Sequence, residues 1–181
     1  MKNTRLAPEI IRSLFCYDAS TGEILWKHRP DVRGSWNAKY AGRPAGTMKK
    51  GYLQICIKVD GKKCFFSGQR IAWAHHYGEW PEGEVDHKNH DPSDNRIDNL
   101  RLATHSQNGC HKLQSRGKVP FKGVYWMPTK GRFAAQIKRN KQWKWLGLHE
   151  TAEDAARAYD RAALDFHGEF AKTNRQMGLL A

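Results

Sequence analysis

The stretch that decides the reading runs from Glu84 to Leu100, EVDHKNHDPSDNRIDNL. It gathers two histidines, four aspartates, one glutamate and three asparagines, with little apolar residue between them. Such loops form easily, because Asp and Asn side chains bond the backbone and tolerate tight bends. Spacing alone leaves that bland reading open. The adjacent pair Asp86-His87 supports a sharper one. A carboxylate holds a hard cation such as Mg²⁺, and the cation neutralises a phosphate. A histidine beside it accepts a proton from water. Phosphodiester hydrolysis needs both an in-line nucleophile and stabilised charge on the leaving oxygen. If the loop from 86 to 99 bends back, an asparagine can bond across it and fix the orientation of His87.

The rest of the chain is basic. Its 181 residues carry 31 Lys and Arg against 18 Asp and Glu, a formal charge of +13. Such a field attracts a polyanion, of which nucleic acid is the commonest. No apolar run long enough to span a membrane is present, and the start, MKNTRLAPEIIRSLFCYD, lacks the apolar core of a secretion signal. A cytoplasmic protein without a membrane partner is expected, in the host cytoplasm if it is phage-encoded. Cys16, Cys56, Cys64 and Cys110 form no C-x-x-C pair, so buried thiols are expected rather than a four-cysteine zinc site. A zinc site built from His87, His90, Cys110 and His111 has poor ligand spacing.

Charge divides the chain. Residues 1–110 hold 17 Lys/Arg and 12 Asp/Glu, whereas residues 111–181 hold 14 and 6. The segment 121–149 has seven Lys/Arg and no acid. Two modules with different roles follow, joined through the basic HKLQSRGKVP segment at 111–120.

Pro8–Cys16 reads as a short helix, Glu23–Lys27 as a strand, and residues 28–50 as an irregular connection. Tyr52–Val59 and Lys63–Phe66 flank Asp60-Gly61, a strong hairpin signal. Ser67 stands where a helix through about Tyr77 would be capped, with Gly78 at its end. Around the opening stretch, Val85 and Arg101–Leu102 read as short strands, and Thr104 as the cap of a helix from His105 to about Leu113. Beyond the linker come strands at Gly123–Trp126, Arg132–Arg139 and Gln142–Leu148, with turns at Thr129–Gly131 and Asn140-Lys141. Thr151 and Asp154 form a capping-box pattern for a helix to Gly168. Its small-residue stripe, from Ala152 to Phe166, allows close packing on a sheet. Alternation puts Lys130, Arg132, Ala134, Gln136 and Lys138 on one face, with Phe133, Ala135 and Ile137 on the other.

The run Gln69–His76 followed by VDHKNHDPSDNRIDNLRLATHSQN at 85–108 resembles the HNH endonuclease family of the ββα-metal fold, in its phage and intron branch. The resemblance implies a catalytic His87 as general base and Asn99 as the asparagine that braces the loop. It implies Asp86 and Asn108 as metal ligands for Mg²⁺ or another divalent cation such as Mn²⁺. The third family position is Asn108 here rather than histidine, a variant of the intron-encoded branch. His105 and His111 lie one turn to either side of Asn108, so either could assist the metal shell. His90 and Asp91, like Asp94 and Asn95, read as loop or turn residues, and Arg96 and Arg101 as phosphate contacts or solvated side chains.

The run KGV at 122–124, GRFAAQI at 131–137, WLG at 145–147, TAEDAA at 151–156 and AYDRAA at 158–163, with Asn174, resembles the APETALA/ethylene-responsive-factor DNA-binding domain of plants. The resemblance gives DNA-facing roles to Lys122, Tyr125, Met127, Lys130, Gln136, Lys138, Trp143 and Trp145, and the face that carries them also bears Arg132. The plant domains have arginines where this chain has Tyr125, Met127 and Trp143. Arginine makes the bidentate guanine contact, so the plant target sequence does not transfer.

These readings give an α+β chain. A ββα-metal nuclease domain with an N-terminal extension occupies 1–110, and a linker occupies 111–120. A three-stranded antiparallel sheet on one helix occupies 121–174, followed by a tail at 175–181. The expected function is a metal-dependent, nicking, homing-type endonuclease acting on double-stranded DNA. It is expected as a monomer, or as a dimer where both strands are cut. The alternative is a sequence-specific transcriptional regulator without catalysis.

Overall fold

A computed structural model describes residues 6–109, 119–139 and 142–181. The expected turn at Asn140-Lys141, most of the linker, and Cys110 and His111 lie outside the described residues. Two compact units are present, Met1–Ala103 and Thr104–Ala181.

The first unit opens with α1 (Pro8–Leu14), β1 (Phe15–Tyr17) and β2 (Ile24–Trp26), the last two antiparallel. Pro8 sits in the first turn of α1, where its missing N–H costs nothing. The segment 28–50 is not the irregular connection expected. It contains α2 (Gly34–Tyr40) and β3 (Thr47–Lys49). Asn37 supplies part of the reason, accepting from Arg29 N at 2.9 Å and donating to Arg29 O at 2.6 Å. Trp36 packs edge-on to Trp26 at 5.3 Å. These partners are distant in sequence or irregular in pattern, so periodicity does not reveal them.

β4 (Tyr52–Val59) and β5 (Lys62–Ser67) form the expected Asp60-Gly61 hairpin, and β3 adds to its edge. Asp60 and Gly61 both adopt positive φ, as a two-residue hairpin turn requires. Then α3 (Gly68–Tyr77) ends at Gly78 in the left-handed conformation. Arg12 closes that end from α1, donating from Nε to His75 O at 2.8 Å and from Nη2 to His76 O at 3.2 Å. Ile11, Phe15, Ile55 and Ile71 are fully buried at the centre of this unit. Each such side chain contributes about 1.5–3 kcal/mol by leaving water. None of the three described cysteines is the buried thiol expected: Cys16 and Cys56 are exposed and Cys64 is half-buried.

The hairpin of β6 (Glu84–His87) and β7 (Leu100–Ala103) follows. Its register pairs Glu84 with Ala103, Val85 with Leu102, Asp86 with Arg101 and His87 with Leu100.

The second unit starts with α4 (His105–Gly109), which therefore groups with the C-terminal residues and not with 1–103. Thr104 caps it as expected, with Oγ1 accepting from Gln107 N at 3.2 Å. β8 (Val124–Met127), β9 (Arg132–Arg139) and β10 (Gln142–His149) make an antiparallel sheet with β9 at the centre, backed by α5 (Ala152–His167). Thr151 Oγ1 accepts from Asp154 N at 3.1 Å and so caps α5. The small residues Ala155, Ala156, Ala162 and Ala163 are buried, letting the helix lie close to the sheet. Gly123, at φ +75°, lies directly under Tyr159. A Cβ there would run into the phenol ring.

Residues 175–181 are not a free tail. Leu179 and Leu180 pack against the core of this unit, and Leu179 N donates to Asn174 O at 3.0 Å. No helix among the described residues is long and apolar enough to cross a membrane.

Candidate active site and nucleic-acid face

Strand alternation sends the side chains of Asp86 and His87 to opposite sides of the β6–β7 ribbon, and both are buried. Arg101 reaches Asp86 from the directly opposite position, donating from Nε to Oδ2 at 2.8 Å. Arg101 is therefore a counter-charge inside the ribbon, which resolves the choice between phosphate contact and solvated side chain left open by the sequence.

On the other side, His87 Nε2 donates to Asn95 Oδ1 at 3.4 Å. The amide orientation follows from its second bond, Asn95 Nδ2 to Ser93 O at 3.3 Å. The oxygen thus faces the ring, Nε2 carries the proton, and the lone pair sits on Nδ1. Burial lowers the His87 pKa, against the opposing pull of Asn95 and the nearby carboxylates Asp86, Asp94 and Asp91. Burial thus favours the neutral imidazole, the state a proton acceptor needs.

Asn99 does bond across the loop. Its Oδ1 accepts from Asn89 N at 3.0 Å and its Nδ2 donates to Asp94 O at 2.8 Å. Its backbone carbonyl accepts from Lys88 N at 2.8 Å. The side chain touching the imidazole is Asn95, which the sequence reading assigned only to the turn. Asp91 and Asp94 are turn builders. Asp91 Oδ1 accepts from Ser93 N at 2.9 Å and Asp94 holds Arg96. That Arg96 guanidinium lowers the Asp94 pKa to about 2. His90 adopts φ +64° and closes the tight turn after His87.

Distant residues brace this loop, and local sequence gives no sign of them. Tyr17 OH donates to Asn95 O at 2.8 Å. Ile97 N donates to Ala19 O at 3.1 Å. Gly22 at φ +78° lets the β1–β2 turn approach the loop backbone. A Cβ there would stand 2.5 Å from Arg96 N. The Tyr52 ring lies 6.2 Å from the His87 ring.

Among the described residues, no group of three or more His, Cys, Asp or Glu side chains is arranged to hold a metal ion. The donor chemistry around Asp86 is one carboxylate with a guanidinium already on Oδ2. A Mg²⁺-type ion needs no full protein cage, binding through one or two carboxylates plus water and substrate phosphate. Asn108 lies on α4, half-buried, with its backbone N donating to Thr104 O at 3.0 Å. His105 is exposed at the start of that helix.

In the second unit, register places Tyr125 beside Ala134, Met127 beside Arg132, Trp145 beside Gln136 and Trp143 beside Lys138. All belong to the sheet face opposite α5, because Phe133, Ala135 and Ile137 pack into the helix-side core. Both tryptophans are on this open face, at 57% and 49% exposure. Lys138 Nζ sits 5.4 Å over the Trp143 ring. Lys130 is exposed in the turn between β8 and β9.

Lys122 is a correction. It is buried, its Nζ donates to Lys172 O at 3.2 Å, and it lies 5.8 Å from the Tyr159 ring. It belongs to the interior on the helix side and not to the DNA-facing set.

The fold and these sites define a two-module chain, one module a hairpin with a buried Asp-His pair and the other a basic sheet backed by a helix. Residues 68–110 match the family described as HNH endonuclease, and residues 120–169 match the AP2 domain. The chain thus carries an HNH endonuclease domain and a C-terminal AP2 domain. Over 61 residues it is 51% identical to "Ethylene-responsive transcription factor 3" of Nicotiana tabacum, covering 32% of this chain and 26% of that one. Over 75 residues it is 50% identical to "Ethylene-responsive transcription factor LEP" of Arabidopsis thaliana, covering 40% and 35%. The chain therefore spans about a quarter to a third of the length of these relatives.

Proposed function

We propose that the chain is a metal-dependent DNA endonuclease of the nicking, homing type, with the AP2 domain holding the DNA. The observation that carries this is the placement of His87: buried, which disfavours its charged form, with Nε2 held 3.4 Å from Asn95 Oδ1, an arrangement that leaves Nδ1 as the proton acceptor. His87 takes a proton from water, and the hydroxide attacks phosphorus in line as the P–O bond to the leaving oxygen breaks. By family resemblance the products carry 5′-phosphate and 3′-hydroxyl ends.

Asp86 and Asn108 would hold a Mg²⁺ or Mn²⁺ ion, which when bound stabilises charge on the phosphate. The HNH match runs through both residues, which supports counting Asn108 as the second ligand. Asn99 and Asn95 act as positioning residues. One such centre per chain supports nicking, with a dimer or two successive events needed to cut both strands.

The second reading is a DNA-binding regulator without cleavage. The transcription-factor names of the AP2-type relatives favour it. Supercoiled plasmid incubated with and without Mg²⁺, beside His87→Ala, separates the two. Metal-dependent relaxation that His87→Ala abolishes supports the nuclease. No relaxation of cognate DNA, or equal relaxation by the variant, supports the regulator.

A further inference from the structure

We propose that Lys50, in the turn between β3 and β4, is a substrate-binding residue at the rim of the His87 site and holds a phosphate of the strand to be cut. The inference rests on the reading of His87 as the centre of a nuclease and names a cation that seats the substrate beside it.

Two hairpin turns close the β3–β4–β5 sheet, and each has two residues, both at positive φ. Such turns favour Asn or Asp followed by Gly. A Cβ is strained in the left-handed region, and short polar side chains offset the strain by bonding locally. The β4–β5 turn follows the rule, with Asp60-Gly61 at φ +48° and +75°. The β3–β4 turn breaks it. Lys50 stands at φ +52° ahead of Gly51 at φ +83°, and a lysine lacks the acceptor that Asp and Asn bring. Folding alone would place an asparagine here. Backbone strain that folding does not ask for gathers at working sites.

The two turns also differ in where they lie. Gly51 sits against the His87 loop, where a Cβ on it would stand 3.2 Å from Pro92 Cγ. A Cβ on Gly61 would meet nothing within 4 Å. The next residue, Tyr52, has its ring 6.2 Å from that of His87 and is 47% exposed. Lys49, its partner across the ladder, is exposed, and so is Lys50. The lysine in the unfavoured conformation is thus the one beside the site. The loop's own carboxylates do not account for it, because Asp91 accepts from Ser93 N and Oγ and Asp94 holds Arg96. A phosphate does account for it. A strand whose scissile phosphate lies at His87 presents its next phosphate one nucleotide along. An ammonium on a flexible four-carbon stem suits such a point charge. Contacts of this kind fix the register of the strand without reading its bases.

The test compares the native full chain with Lys50→Asn and Lys50→Arg. Asparagine tolerates the positive φ but lacks the charge, whereas arginine keeps both the charge and the strain. Three quantities are read: the urea midpoint, the salt dependence of binding to a labelled mixed-sequence duplex in EDTA, and the nicking of supercoiled plasmid in Mg²⁺. Lys50→Asn is expected to raise the urea midpoint while it weakens function. Its slope of log K against log salt should be shallower by about 0.9, the share of one phosphate, and its nicking about tenfold slower. Lys50→Arg should keep the native slope and rate. A lysine that only solvates the surface would leave slope and rate unchanged in Lys50→Asn, and that result overturns the inference while the nuclease reading stands. An arginine variant as slow as the asparagine one overturns it too, as does a lower urea midpoint in Lys50→Asn. A native chain that nicks no plasmid overturns the nuclease reading and the inference with it.

Discussion

Arg101 donates from Nε to Asp86 Oδ2 at 2.8 Å, from the position directly opposite it in the β6–β7 ladder. The side chains are only 10% and 4% exposed. The carboxylate proposed to hold a cation thus already faces one. In the absence of a divalent ion, the guanidinium keeps the buried charge from standing alone.

Arg101→Met is therefore expected to be costly. Breaking one side of a buried pair leaves the other charge uncompensated, at about 3–5 kcal/mol. A divalent cation that binds Asp86 should return part of that loss, since a ligand bound only to the folded state stabilises it. Thermal melts with and without Mg²⁺ measure both effects. A variant that melts like the native chain, or that gains no more from Mg²⁺ than the native chain does, would refute this account of the pair.

Asn95 and Asn99 should separate by what they move. Asn99→Ala removes a brace that accepts from Asn89 N and donates to Asp94 O. Leaving those partly buried groups without partners costs on the order of 1 kcal/mol, read as a lower urea midpoint. Asn95→Ala removes the partner of His87 Nε2 and should reduce nicking by more than it lowers the urea midpoint. Equal activity in Asn95→Ala and the native chain would show that the ring needs no such anchor.

The Asp94–Arg96 pair gives a pH dependence with a definite sign. Arg96 lowers the Asp94 pKa from 3.8 to about 2. The folded state then binds fewer protons than the unfolded state between those values, so stability falls as pH falls through that window. Above pH about 4 the contribution is fully present. Urea midpoints measured down to pH about 2 should drop less steeply in Asp94→Asn than in the native chain. Parallel curves would assign the acid sensitivity to other carboxylates.

Much of this was legible in the residues themselves. The resemblance to the HNH family singled out Asn99 as the loop-bracing asparagine, and its side chain does bond across the loop. Strand alternation placed Gln136 and Lys138 on one face with at least one of Trp143 and Trp145, since a single buried side fixes the register; the structure puts both indoles there. What was not legible depends on sequence-distant partners. Tyr17, Gly22 and Tyr52 approach the loop from elements that carry no local sign of it. Lys122 carries the charge of a phosphate contact. Its place is set instead by Asn174, fifty-two residues on, which holds its backbone on the helix side.

Asn174 itself supports the last prediction. It is fully buried, and its Oδ1 accepts from Lys122 N at 2.7 Å. Its Nδ2 donates to Asp160 Oδ1 at 2.9 Å, and the same carboxylate takes Asn174 N at 2.7 Å and Arg175 N at 3.0 Å. One amide thus joins the entry to β8, the middle of α5 and the C-terminal segment. Asn174→Ala orphans the Lys122 N–H and removes one donor from a buried carboxylate. Unmet buried groups of this kind cost about 1–3 kcal/mol each, and more where one is charged. The variant should lose cooperative unfolding of the second unit and, with it, DNA binding. Hydrogen exchange is the direct readout. Protection should fall across β8, β9 and α5 while Ile55 and Ile71 in the first unit keep theirs. A uniform loss across both units would mean that the two do not unfold separately, and unchanged protection in α5 would remove Asn174 as the junction.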